Sequence, residues 1–440
     1  MDNFYLNNFE IPEAGKKIFN LAKKIYPINR SLTGEGNRKT LQIIKNIIPN
    51  LKIREIPSFT KVSDWKIPLE WNVKEAYIVD PNGKKILDFK KNNLHLVGYS
   101  MPINKVINFK ELKNHLHFKK DLPKAIPYVV SYYKKDWGFC LSYNQFKKLK
   151  KGNYRIFINS SFSRGSMTYG EVLIPGKTKE EILFSTYICH PSLANNEVSG
   201  PALLTYICEF LNTLKKRRYS YRIVFHPENI GAIAYISKNL KKLKKNVKAG
   251  YVLSCVGDNR NFSFIPSREG NTLTDRAARY ALKNFTRKFD EFSFLDSGSD
   301  ERRYCSPNVN LPVASIMRTK YGNYKEYHTS LDNLKIISKE GFQGSFNIYL
   351  NVLKILENNY KFLTKTICEP QLGKRGLYPN ISKWPDKNSW LELRKLVNCL
   401  SFADGEKDLI DLSDSIEVNI QEVLNILEKL IEKKLIRIKK

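Results

Sequence analysis

The sequence has no Cys-x-x-Cys pair, no run of eighteen uncharged apolar residues, only six histidines, and far less acid than base. Without paired cysteine motifs, the seven cysteines (an odd set, most of them in apolar runs) read as reduced core thiols, not as a disulfide framework or a zinc ribbon. Without a long apolar run, no helix is expected to span a bilayer. The opening stretch MDNFYLNNFEIPEAGKKIF lacks a basic start, an apolar middle and a small-residue cleavage site. No signal peptide is therefore expected, and a cytoplasmic location follows. The shortage of acid leaves a formal charge of +31, from 74 basic against 43 acidic residues. These bases are strewn as Lys-Lys doublets along the whole chain, which suits a solvated surface; affinity for anionic sugars, lipid surfaces or nucleic acid is the alternative.

With 440 residues, the chain is long enough for two or three domains. Residues 12–50 pattern as two helices, with Leu41, Ile44, Ile47 and Ile48 at helical spacing, joined by the turn Ser31-Leu-Thr-Gly-Glu-Gly. From about 52 to 165 the text turns strand-like and aromatic, with turn signals at Pro81-Asn-Gly and Lys151-Gly-Asn. From Gly170 strands and helices alternate: EVLIPG, EEILFSTYICH, a helix over 200–214, YRIVFHPE, a helix from Gly231, AGYVLSCVGD and a helix near 274–287. Continuous apolar strands separated by such helices predict a parallel sheet covered on both faces, and ligands of such sheets bind beyond the carboxyl ends of the strands. His190, Glu228, Ser254 and Asp258 all fall at or just past strand ends. A Pro/Gly/Lys stretch over 365–389 reads as a linker. Beyond it, helices at Trp390–Leu400, Leu409–Ser415 and Asn419–Lys433 and a strand at Leu435-Ile-Arg-Ile outline a winged helix, with Asn419 or Ser415 as a cap.

His190 closes the strand FSTYICH ahead of a loop of small polar residues, Glu228 ends YRIVFHPE, and His328 lies in KEYHTSLDN. A lone histidine is an ordinary partly buried side chain, but two histidines and a carboxylate on one sheet edge form a plausible zinc set. In the loop GSDERRYCSP, Asp300 is a candidate for substrate recognition or support of the site, and Arg302 for pairing with an anionic group, against the plainer reading of a solvated charged loop. Asp332, four residues after His328, is a candidate acceptor that orients that ring.

Strand-His, ANNxxSG, strand-Glu and YHTSxD, in this order, resemble the co-catalytic zinc aminopeptidase superfamily. More closely, the chain resembles the polysaccharide biosynthesis proteins with an aminopeptidase-like domain, through IYPINRSLTGEGNRKT, TYICHPSLANNEVSGP, GSDERRYCSP, MRTKYGNYKEYHTSLDNL and EPQLGKRGLYP. The resemblance implies an α/β fold: an aminopeptidase-like mixed sheet covered by helices, whose amino-terminal helices occupy 1–55 and main part 166–364. It also implies an inserted β-rich domain at 56–165, a linker at 365–389 and a winged helix at 390–440. It places the histidine ligands on His190 and His328, and the metal-bridging Asp on Asn196. The adjacent glutamate pair is reduced to Glu228 beside Pro227 or Asn229, and a further Asp is replaced by Ser254.

Two zinc ions ~3.5–4 Å apart need a bridging anion, and a neutral Asn cannot serve. One zinc held by His190, Glu228 and His328 is expected instead, with Glu228 as ligand or as general base. The expected activity is hydrolysis of an amide or peptide-like bond in a small-molecule, peptide-like or sugar-conjugate substrate. A binding protein without catalysis is the rival. The third helix of the winged unit, NIQEVLNILEKLIEK, carries three glutamates against two lysines, so DNA is disfavoured; protein contact or intramolecular packing is expected, and a homo-oligomer is left open.

Overall fold

The computed structural model describes residues 11–132, 134–378 and 387–439. The first ten residues, where a leader was sought, and residues 379–386 of the expected linker lie outside them.

Eight strands form the central sheet, in the order Lys52–Pro57, Ser166–Ile174, Ser220–His226, Glu181–Tyr187, Val247–Val252, Val313–Met317, Ser263–Ile265 and Asp290–Glu291. The four strands in the middle run parallel, as their unbroken apolar sequences predict. The pairings Lys52–Pro57 with Ser166–Ile174, Ser166–Ile174 with Ser220–His226, and Ser263–Ile265 with Val313–Met317 are antiparallel, so the sheet is mixed rather than parallel throughout. Alternation explains why the middle strands are apolar on both sides. Ile182, Phe184, Tyr221, Ile223 and Phe225 pack with helices Ala14–Ile25, Glu35–Lys45, Ser199–Thr213, Leu273–Phe285 and Lys339–Asn358. Leu183, Val224 and Val252 face the opposite way, towards helix Ile230–Asn246 and the inserted unit. Gly200 begins one of these helices so close to the sheet that a Cβ would stand 2.3 Å from the Leu253 carbonyl oxygen.

The inserted unit is a four-stranded antiparallel sheet ordered Lys85–Asp88, Glu70–Val79, Asn153–Ser163 and Ile103–Asn108, with a small hairpin at Lys61–Val62 and Trp65–Lys66. Its segment 125–132 returns to the main unit. There the Tyr128 N–H donates to the His328 carbonyl at 2.9 Å, the Ser330 N–H donates to the Ile126 carbonyl at 2.8 Å, and Pro127 bridges Thr329.

Lys361–Thr364, read from sequence as the end of the main unit, pairs instead with Asp404–Asp408 and Ile436–Ile438 in the sheet of the winged helix. Asn419 caps the helix Ile420–Glu432 by accepting from the Glu422 N–H. The winged unit is clamped to the helix Leu273–Phe285. Arg276 donates to Asp408 and Asp411, and the Tyr280 hydroxyl meets Ser413 and accepts from the Ile420 N–H at 2.7 Å. The amino terminus of the helix in the recognition position is thus held against the protein's own main unit. Among the described residues no helix is long and apolar enough to cross a membrane.

Candidate active site

Register brings the candidate residues together. Tyr187 pairs with His226 in the parallel ladder, so the two strands end level, and His190 and Glu228 follow within three residues on the same edge. Beyond that edge lies a cavity of about 340 Å³. Its apolar wall is Leu32, Trp65, Tyr128, Val130, Tyr132 and Ile230, and its polar end is formed by His190, Glu228, Asn229 and His328 beside Cys189. The inserted unit supplies Trp65, Tyr128, Val130 and Tyr132, so the cavity is shared between two units of the chain.

His190 Nε2 stands 3.6 Å from Glu228 Oε2. Two donors ~2.0–2.2 Å from one zinc at the tetrahedral angle are separated by about 3.3–3.6 Å, so this pair suits a single ion. On its other side, His190 Nδ1 donates to Glu197 Oε2 at 2.7 Å. The His328 ring centroid is 5.5 Å from that of His190; His328 stacks on Tyr327 at 4.0 Å and meets the edge of Tyr128 at 5.3 Å. Its backbone has φ 53°, a left-handed conformation, and its carbonyl accepts from the Tyr128 N–H. Among the described residues, Cys189, His190 and Glu197 bring three potential ligand atoms within 4.8 Å of one another. Glu197 does not line the cavity, and its contact consumes His190 Nδ1, so the donors that face ligand are those around Nε2.

Burial governs the protonation of this site. It pushes the Cys189 thiol up to about 12 and raises the Glu228 carboxyl above its ordinary value, against the pull of His190. Burial, then the charge of His190, lowers His328 to about 3, leaving a neutral ring suited to ligation. Burial works against the His190 imidazolium too, but Cys189 and Glu197 outweigh it and raise the ring well above the usual histidine range. Because the Cys189 thiol is neutral, Glu197 is the charge responsible. The Ser299 hydroxyl donates to Glu228 Oε1 at 2.5 Å, leaving Oε2 towards His190. Ser299 is itself held by Glu301, whose Oε1 accepts from the N–H groups of Gly298 and Ser299 and from the Tyr321 hydroxyl.

Residues 19–359 match a family described as a domain of unknown function, DUF4910, and residues 360–438 match a winged helix-turn-helix family. The chain belongs to the DUF4910 family. It is 43% identical, over 93% of each chain, to a Clostridium acetobutylicum protein described as a candidate polysaccharide biosynthesis protein with an aminopeptidase-like domain. A crystal structure described as that of a candidate peptidase from Clostridium acetobutylicum superposes with a TM-score of 0.90, at 41% identity and 97% coverage of both chains. A zinc aminopeptidase from Bacillus subtilis superposes with a TM-score of 0.58 over 78% of this chain and 95% of its own, at 12% identity, a likeness of fold. The fold is therefore aminopeptidase-like, with a winged helix at its carboxyl end.

Of the residues singled out in the sequence, His190, Glu228 and His328 meet at the cavity, and the others stand behind it. Asn196 is buried, its amide donating to the Tyr187 hydroxyl at 3.1 Å. Asp300 is buried outside the lining; Oδ1 accepts from the Asn229 N–H at 2.8 Å, and Oδ2 lies 3.8 Å from His226 Nδ1. Arg302 pairs with no anion among the described residues. Its guanidinium turns back onto the Ser297 and Leu295 carbonyls of its own loop, while Arg303 reaches Asn229. Asp332 does not orient His328; it accepts from the N–H groups of Asn195 and Asn196 and from the Tyr324 hydroxyl, because the chain turns between the two residues. Sequence reasoning missed Glu197, Arg30 and Ser299, although each lies inside a motif that carried the resemblance.

Proposed function

We propose that the chain is a single-metal hydrolase of an amide or peptide-like bond, acting on a sugar conjugate in the making of surface polysaccharide. The observation that carries this is the 3.6 Å approach of His190 Nε2 and Glu228 Oε2 at the polar end of an otherwise apolar cavity. The polysaccharide setting is taken from the description of the Clostridium acetobutylicum relative. His190 and His328 would hold a zinc ion, with Glu228 as third ligand or as base. When bound, zinc supplies the Lewis acidity that polarises a carbonyl and makes water a nucleophile at neutral pH.

The protein's own groups do the remainder. Ser299 fixes one oxygen of Glu228, so the other is aimed at the cavity, and its raised basicity suits it to take a proton from water and return it to the leaving nitrogen. The wall of Tyr128, Tyr132 and Trp65 offers flat apolar faces to a sugar ring or an aliphatic group. No Lys or Arg lines the cavity among the described residues, so the part of the substrate enclosed there is neutral or cationic, whatever the charge of the outer surface.

Turnover of acylamino sugars and aminoacyl compounds by the wild type and by Glu228→Gln tests this reading. A loss of ~10²–10⁴ in rate with metal retained identifies Glu228 as the base, whereas loss of metal identifies it as a ligand. Equal rates and equal metal content in both proteins would sink the proposal. A second reading, a binding protein in the same cleft, is favoured by the neutral side chains at Asn196, Asn229 and Ser254; it predicts no turnover by the wild type and ligand affinity kept within a few-fold in Glu228→Gln.

A further inference from the structure

The loop after His190 contains a wide turn. Over Ala194–Val198 the backbone bonds span five residues, with the Val198 N–H donating to the Leu193 carbonyl at 3.0 Å and the Ser199 N–H to Ala194. Such one-turn widenings insert an extra residue into a helix and occur mostly at functional sites. Here the extra residue lets two successive side chains point inward: Asn196 towards Tyr187, and Glu197 towards His190. Glu197 is 1% exposed, and behind it stands Arg30, 2% exposed, with Nε 3.9 Å from Glu197 Oε1 and Nη1 donating to the Ile25 carbonyl at 2.7 Å. Arg30 comes from the turn between the two amino-terminal helices, so a remote segment of the sequence backs the loop that holds His190 and Glu197.

Burying an unshielded carboxylate is expensive, and a compensating cation makes it tolerable. The side-chain hydrogen bond that Glu197 makes is the one to His190 Nδ1; Glu197 Oε1 and Arg30 Nη2 have no hydrogen-bond partner among the described residues. We infer that Glu197, with Arg30 as its buried counter-charge, is the positioning residue for His190. A carboxylate accepting Nδ1–H fixes the ring plane and turns Nε2 towards Glu228 and the cavity. The acid absent at position 196, where it would bridge two ions, stands one residue further on, where it orients a ligand for one. What Nε2 is oriented for rests on the function proposed above; the orientation itself does not.

The test uses ¹⁵N-histidine NMR of the metal-free full chain, with His190→Ala to identify the resonance, alongside zinc titration against a competing chelator. The wild type is expected to show a slowly exchanging Nδ1–H that Glu197→Ala abolishes, with a zinc affinity ~10–100-fold weaker in that variant. Glu197→Gln keeps volume and one acceptor oxygen, so its resonance persists at a shifted position and its affinity falls less. An unchanged resonance with unchanged affinity in Glu197→Ala, or in Glu197→Gln should the alanine variant fail to fold by thermal melting, overturns the inference. If the wild type binds no zinc, the single-metal reading falls, and the resonance alone decides the role of Glu197.

Discussion

At the ends of Glu181–Tyr187 and Ser220–His226, His190 and Glu228 keep ligand atoms on the cavity, whereas beyond Val247–Val252 the polar residues have been absorbed into the scaffold. Asp258 accepts from the Arg260 N–H and the Thr319 hydroxyl on one oxygen, and from the Asn195 amide and the Thr319 N–H on the other. A carboxylate with four donors has no lone pair to spare for a metal. Ser254 is buried, and Asn196 donates to Tyr187. The two regions occupy equivalent places on one sheet edge and differ in where their charge goes. Two ions would bring four positive charges to a rim that offers only an amide at Asn196, in the loop after Glu181–Tyr187, and a hydroxyl at Ser254, beyond Val247–Val252. The metal chemistry proposed above belongs to His190, Glu228 and His328, while Asp258, Ser254 and Asn196 hold their loops in place.

The largest change is expected from an acid placed at Asn196. Asn196→Asp should increase zinc bound per chain, measured by elemental analysis after dialysis, because it puts an anion where the resemblance to zinc aminopeptidases implies a bridging carboxylate. No gain would mean that the rim was reshaped beyond this one side chain.

A smaller effect is expected at Asp332. Asp332 belongs to the scaffold, its two oxygens holding the Asn195 and Asn196 N–H groups at 2.7 and 3.0 Å. Asp332→Asn keeps one acceptor and leaves a buried donor without a partner, a cost of ~1–3 kcal/mol. Urea denaturation should show that loss while metal content per folded chain stays constant; metal lost at full stability would move Asp332 into the metal-binding set.

The fold was legible in the sequence, and so was the meeting of His190, Glu228 and His328 at one cavity. Ile182–Phe184 and Ile223–Phe225 declare strands buried on both faces, and the position of His190 and Glu228 just past such strands is enough to put them on one edge. The supporting residues were harder to read because their partners are remote in sequence. Glu197 looks like one polar residue in ANNEVSGP until the wide turn points it at His190, and Arg30 lies 160 positions before that ring. Asp332 sits near His328 in the chain yet serves Asn195, and Arg302 caps its own loop, so sequence proximity misled in both cases. Lys361–Thr364 directly follows a long helix, and its pairing with Asp404–Asp408 and Ile436–Ile438 assigns it to the winged unit.

On the reading proposed here, His190, Glu228 and His328 hold one zinc ion and no second ion binds beside it. Elemental analysis of freshly purified wild-type protein, beside the His190→Ala, His328→Ala double variant, decides this. One zinc per chain in the wild type and none in the double variant is the predicted result; two tightly bound ions per wild-type chain, or one retained by the double variant, would contradict it.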